Sequence, residues 1–327
     1  MTRPEIDLFT GQRVPRLGFG CWAIGGPYWM DMVPRGWGPV DDEESVRAIE
    51  TAWDLGIRVF DTANVYGAGH SERVLGRALK GRRGAFVATK FGNTFDEATK
   101  QVTGTAHDPA NIRAACEASL KRLERERIDL LQLHIGVLPE EEARGVQEVL
   151  EALVSEGKIR GYGWSTDDPA RSASWAEGPN FQAIQFDMNI MVPALESVRL
   201  AEKLGLIALN RSPLAMGFLS GKFRAGHKFD KADIRGTSVP WLKPFKDGEL
   251  NPDYVAKLDA VIALLSSGGR TPAQGALGWI WGMSRATLPI PGFRTVAQAQ
   301  ENAGALDFGP LPADTIAEIN MVLGNGA

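Results

Sequence analysis

Phe60-Asp61-Thr62-Ala63-Asn64-Val65-Tyr66-Gly67 decides how this chain is read. The apolar run Ile57 to Phe60 has the length and composition of a buried strand, and it ends on an aspartate with a tyrosine close behind. Ala88-Thr89-Lys90 and Leu131-Gln132-Leu133-His134 repeat the arrangement, each placing an ionisable group at or just past the end of an apolar run. Ends of successive parallel strands meet at one mouth of a closed barrel, where reaction centres gather. A phenol, an ammonium, an imidazole and a carboxylate brought together there could move a proton to or from a carbonyl oxygen.

Working outward, the same alternation of short strands and amphipathic helices continues. The first strand is expected over Arg16 to Gly20, and a loop rich in glycine, proline and tryptophan follows to Gly38. Asp41 with Glu44 reads as a capping box opening a helix whose apolar face is Val46, Ile49, Ala52, Trp53 and Leu55. Further helices are expected over 71–80, from Asp108-Pro109, over 145–156 and over 194–204. Asn251-Pro252 and Thr271-Pro272 each read as a capped helix start. Strands are expected at Ala85–Thr89, Ile128–Leu133, Ile159–Trp164, Ala183–Phe186, Leu206–Leu209 and Thr287–Ile290. Eight strands, each followed by helix, predict a single (β/α)8 TIM barrel over residues 1–327 with long loops at its C-terminal face. The longest irregular stretch, 222–248, is long enough to be a lid or a pocket wall.

Composition narrows the function classes. A net charge of −4 and a pI near 5.7 leave no basic footprint for nucleic acid. Two cysteines, Cys21 and Cys116, make no disulfide framework and have no His/Cys companions at metal-ligand spacing. The N-terminus lacks an apolar signal core, and no run approaches the roughly 18 apolar residues that span a bilayer. A cytoplasmic protein acting on a small molecule is the expectation, with no membrane or nucleic-acid partner and with homo-oligomer formation left open.

Hydride chemistry needs a nicotinamide, and Ile290-Pro291-Gly292-Phe293-Arg294-Thr295-Val296-Ala297-Gln298 offers a place for its phosphates. It joins a strand end, a glycine that permits close approach, and a helix start with Thr295 and Gln298 as a capping box. Arg294 could fork onto a phosphate monoester there, or the run could be an ordinary barrel turn. Gly18-Phe19-Gly20 followed by Gly25-Gly26 is not a Rossmann fingerprint, because the glycines run into Pro27-Tyr28-Trp29 rather than into a helix. Trp22, Trp29, Trp37 and Trp241 lie in the expected loops and suit an apolar pocket with flat walls, or simple loop packing. Lys90 and Asp61 could likewise be a structural ion pair, and a lone strand-end His134 a satisfied core group.

Taken in order, these segments resemble the aldo-keto reductase superfamily from Leu17 to Asn302. The resemblance implies that Asp61, Tyr66, Lys90 and His134 are the catalytic group and that the cofactor is NADP (NADPH). Lys90 would lower the pKa of Tyr66, Asp61 would hold Lys90, and His134 would orient the carbonyl oxygen. By the same resemblance, Gly20, Cys21 and Trp22 lie along the cofactor, and Ser165 and Gln185 bond the nicotinamide carboxamide. Arg211, Ser212, Pro213, Leu214 and the run from Gly217 to Lys222 wrap the pyrophosphate. Gly292, Phe293, Arg294, Gln298, Glu301 and Asn302 match the region for the adenosine 2′-phosphate and adenine. Two positions depart from the family pattern: Thr166 stands where asparagine is common, and Arg211 where an aromatic residue stacks on the nicotinamide.

The function expected is reduction of an aldehyde or ketone to an alcohol, with Tyr66 as general acid. Two rivals differ in class. One is a regulatory or redox-sensing subunit with little turnover, for which potassium-channel β subunits, also similar to this superfamily, are the precedent. The other is an NAD-dependent sugar or polyol dehydrogenase.

Overall fold

Side chains along a strand point alternately to its two faces, and that period of two explains the barrel's interior. In the computed structural model, which describes residues 3–224 and 226–325, eight parallel strands form the central sheet. They are β1 (Gly18–Gly20), β2 (Val59–Asp61), β3 (Phe86–Phe91), β4 (Ile128–Leu133), β5 (Ile159–Ser165), β6 (Phe181–Asp187), β7 (Ile207–Arg211) and β8 (Thr287–Pro289). Each pairs with the next in chain order. The Gly20 N–H donates to Pro291 O at 3.0 Å and Gly20 bridges Gly292, which closes β1 onto the end of β8. A side chain on Gly20 would put a Cβ 2.8 Å from Ile290 O, so this seam requires glycine.

Val59, Phe86, Ala88, Leu130, Ala183, Ile207, Leu209, Leu288 and Ile290 fill the lower barrel as one apolar cluster. The next inward positions on the same strands are Asp61, Lys90, Gln132 and Gln185, all buried, so the interior turns polar at its C-terminal end. Phe60, Val87, Phe91, Leu131, Leu133, Trp164, Ile184 and Phe186 point outward into the larger core beneath the helices. That core receives Ile49 and Ala52 of α1 (Asp42–Asp54) and Val146 and Leu150 of α2 (Glu140–Ser155). A hairpin of Glu5–Asp7 with Arg13–Pro15 covers the opposite end, where Leu8 and Val14 join the interior cluster.

Several local expectations are corrected. Helix α2 starts at Glu140 behind Pro139, one turn and more before Gly145, because Glu140, Glu141 and Glu142 form an acidic first turn. Asp41 accepts from Glu44 N, but the Glu44 side chain reaches Val296 N at 2.9 Å instead of returning to its own cap. Thr295 and Gln298 also form half a box, since Gln298 Oε1 accepts from Arg294 N at 2.7 Å. The complete reciprocal box is Thr271 with Gln274. Trp29–Met30, Val33–Pro34, Asn93–Asp96 and Gln101–Thr105 form a four-stranded sheet that the barrel alternation does not anticipate, and Trp29 belongs to it rather than to a pocket wall.

The 222–248 segment, apart from Ala225, which lies outside the described residues, is tied down by contacts with neighbouring loops. Ile234 N donates to Gly36 O at 2.8 Å, and Asp233 bridges Trp37. The Arg235 guanidinium lies 4.7 Å over the Trp37 ring while pairing with Asp233 at 2.7 Å. No helix among the described residues is long and apolar enough to cross a membrane.

Gly67 joins two loops at the mouth. Its φ is +62°, and a Cβ there would lie 1.7 Å from Gly25 O, so the loop bearing Trp22 and the loop bearing Tyr66 touch backbone to backbone. Gly67→Ala should cost on the order of 2–4 kcal/mol and lower Tm by several degrees. An unchanged melting curve would mean that this contact relaxes freely.

Candidate active site

Asp61 and Lys90 reach the top of the barrel by the same parity that buries Val59 and Ala88 below them. Their side chains are 3% and 0% exposed, and Lys90 Nζ bonds Asp61 Oδ1 at very short range. Lys90 Nζ also donates to Thr62 O at 2.9 Å and to Tyr66 Oη at 3.4 Å, so each of its three protons has a partner. The other carboxylate oxygen, Asp61 Oδ2, accepts from Gln185 Nε2 at 2.8 Å and from Gln132 Nε2 at 3.0 Å. Isolated buried charges are unstable, and this pair persists because both partners are paired and hydrogen-bonded.

Tyr66 comes from the loop after β2, and Trp22 stacks against its ring at 5.9 Å. The His134 ring stands perpendicular to it at 6.0 Å, and its Nδ1 is buried without a hydrogen-bond partner. Burial pushes the Tyr66 phenol well above its ordinary value, the Asp61 charge adds to this, and Arg211 opposes it. Lys90 is lowered by burial and held up by Asp61. The lowering of the Tyr66 pKa expected from Lys90 meets two opposing influences in the folded chain, burial first and the Asp61 charge second. Burial, with the Lys90 and Arg211 cations, also drives His134 well below the usual imidazole range, so it is neutral.

These groups open into one cavity of about 1010 Å³. Its wall includes Gly20, Trp22, Asp61, Tyr66, His134, Ser165, Gln185, Arg211, Ser212, Pro213, Leu214, Gly217, Lys222, Gly292, Phe293, Arg294, Gln298, Glu301 and Asn302. Lys90 lies beneath the wall. Cys21 does not line it: the thiol is buried, and its backbone N–H donates to Asp61 O at 2.7 Å. Lys222 and Glu301 pair at 2.7 Å. Trp241 is 50% exposed at the rim, 6.5 Å from Trp22, and Trp22 meets Trp37 edge-on.

The two unusual positions take specific partners. Thr166 Oγ1 donates to Gly136 O at 2.8 Å and accepts from Asp168 N, which occupies its hydroxyl. Arg211 pairs closely with Asp167, so its charge has a counter-ion at the wall. Asp187, beside them, has its carboxyl pushed up to about 6 by burial, against the pull of Arg211. Arg294 donates Nη1 to Trp37 O at 3.0 Å and Nη2 to Pro39 O, so its fork secures the first loop. Sequence alone does not bring Gln132 or Asp167 to this site. Gln132 carried a usable signal, since it shares strand parity with Leu130 and His134.

The sequence profile of the aldo/keto reductase family matches residues 16–323. The chain belongs to that family. Aldo-keto reductase yakc [NADP(+)] of Schizosaccharomyces pombe is 30% identical over 322 residues, covering 95% of this chain and 89% of the relative. Among solved aldo-keto reductase structures, the glycerol dehydrogenase AKR11B4 of Gluconobacter oxydans is 31% identical with a TM-score of 0.81, covering 99% of this chain and 96% of that one. AKR11C1 of Bacillus halodurans in its holo form is 25% identical with a TM-score of 0.77, covering 98% and 96%. The fold of this aldo/keto reductase is accordingly the (β/α)8 barrel.

His134 should stay neutral at pH 6 when its ring nitrogens are followed by ¹⁵N NMR. The unfolded chain takes that proton near pH 6.5 and the folded one only well below, so this residue costs stability as pH falls past that point. A folded-state midpoint at or above 6.5 would contradict the desolvated placement.

Proposed function

We propose that this protein reduces an aldehyde or ketone with NADPH, and that Tyr66 gives its proton to the carbonyl oxygen. The observation that carries the reading is the Tyr66 hydroxyl 3.4 Å from an ammonium locked to Asp61, on the wall shared with His134. NADPH, when bound, supplies the hydride. Burial keeps the phenol protonated, which suits a proton donor at neutral pH, and Lys90 stands ready to stabilise the phenolate that donation leaves behind. Neutral His134 can direct a ring N–H at the same carbonyl oxygen and orient it.

The cofactor assignment rests on residues of this chain that fit the group and on the named specificity of the yakc relative. The cavity is large enough for an extended ligand, and Ser165 and Gln185 are among its lining residues, with polar side chains that suit a carboxamide. The loop from Arg211 to Lys222 holds left-handed φ at Ser212, Ala215 and Met216, strain of the kind stored at ligand clamps. Arg294, Gln298, Glu301 and Asn302 would serve the adenosine end. Trp22, Trp37 and Trp241 favour a flat, largely apolar carbonyl compound. A second reading, oxidation of a polyol, draws on the likeness to the glycerol dehydrogenase AKR11B4; it needs the phenolate, the form that burial of Tyr66 disfavours.

Tyr66→Phe keeps the ring and removes the proton, so turnover of an aromatic aldehyde should fall by about 10²- to 10⁴-fold while NADPH binding, followed by tryptophan quenching, stays near wild type. Retention of more than about a tenth of wild-type turnover where chemistry is rate-limiting would remove Tyr66 from the acid role. Wild-type protein that binds NADPH and turns over no carbonyl would favour a regulatory subunit instead.

A further inference from the structure

Asp61 has two carboxylate oxygens and two kinds of partner: Oδ1 faces the Lys90 ammonium, and Oδ2 takes two amide protons, from Gln185 and Gln132. Gln132 is 0% exposed and lies on β4, paired in register with Lys90 across the β3–β4 seam. Its Oε1 in turn accepts from Gln185 Nε2 at 3.3 Å. Only one orientation of the Gln132 amide satisfies all these contacts. Turned over, its oxygen would face Asp61 Oδ2, acceptor against acceptor, and its nitrogen would face the Gln185 donor. The two glutamines differ in access: Gln185 lines the cavity, whereas Gln132 is not part of its wall.

We propose that Gln132 is a positioning residue for the reaction, holding the Asp61 carboxylate with Oδ1 on Lys90 while Gln185 is free to turn from Asp61 to a carboxamide in the cavity. The second half rests on the NADPH reading above. With Gln185 drawn away, Gln132 is the sole side-chain donor left on Oδ2 among the described residues. The carboxylate then keeps its orientation and its charge, and Lys90 stays directed at Tyr66. Gln132 touches neither Tyr66 nor the cavity and acts through Asp61. The other titratable groups around Asp61 are Lys90 from β3, Cys21 from the loop after β1, Tyr66 from the loop after β2, His134 after β4 and Arg211 at the end of β7.

The test is Gln132→Met, which keeps the length and removes the donor. A hydrogen bond to an ionised group is worth about a ten- to hundredfold factor, so kcat should fall by at least about tenfold while KM for the carbonyl stays within about twofold. A kcat within about twofold of wild type, or a loss shared equally between kcat and KM, would reduce Gln132 to packing and overturn the proposal.

Gln132→Glu gives an independent check should the methionine variant fold poorly. Protonated, glutamic acid can donate to Asp61; ionised, it repels it. Activity and melting temperature should therefore survive on the acid side and fall as pH rises, and a wild-type profile would overturn the proposal. If wild-type protein fails to turn over a carbonyl with NADPH, the carbonyl reading fails, while the melting comparison still decides whether Gln132 supports Asp61.

Discussion

A buried ammonium against a buried carboxylate is the constraint on which this structure turns. Neither Lys90 nor Asp61 could remain charged alone at its depth, since the desolvation cost of either exceeds what packing returns. Held together, they require a complete shell of partners, and the barrel provides one. Thr62 O and Tyr66 Oη take the remaining Lys90 protons, and the two glutamine amides take Asp61 Oδ2. The polar layer at the C-terminal end of an otherwise apolar barrel is thus a single connected network, with Tyr66 at the point where it meets the cavity.

Much of this was legible in the sequence because barrel geometry ties chemistry to strand parity. Asp61, Lys90 and His134 each follow an apolar strand by a fixed register, so their convergence could be read without coordinates. Gln132 has the same parity, yet in a strand of otherwise buried residues it reads as one polar residue among many and needs the Asp61 contact to be noticed. Cys21 is a different case: the family resemblance implies a place along the cofactor, and the fold buries its thiol in the core beside Gly20 and Trp22 of the cavity wall.

Where several partners compete for one group, local patterns misled. Glu44 stands three residues after an N-cap, yet its carboxylate serves the first turn of another helix through Val296 N. Gln298 likewise bonds Arg294 N rather than completing its own box. Both diversions lie where the first loop meets the helix over Val296–Phe308, and Arg294 joins them through Trp37 O and Pro39 O. Tertiary contacts that join distant segments leave no periodic trace in sequence, which is also why the small sheet beside the mouth was not foreseen. The charge of Arg211 is similar: sequence shows a cation at the wall, and only the fold shows Asp167 beside it.

A double-mutant cycle on Asp61→Asn and Lys90→Met tests most directly whether the pair acts as one unit. Turnover and unfolding free energy would be measured for wild type, both single variants and the double variant. Each single change leaves a buried partner uncompensated and should cost about 3–5 kcal/mol in stability, whereas the double variant should be no worse than either single one. In turnover too, the double loss should match the larger single loss, as for residues that act together. Losses that add in both quantities would show two independent residues and contradict the account.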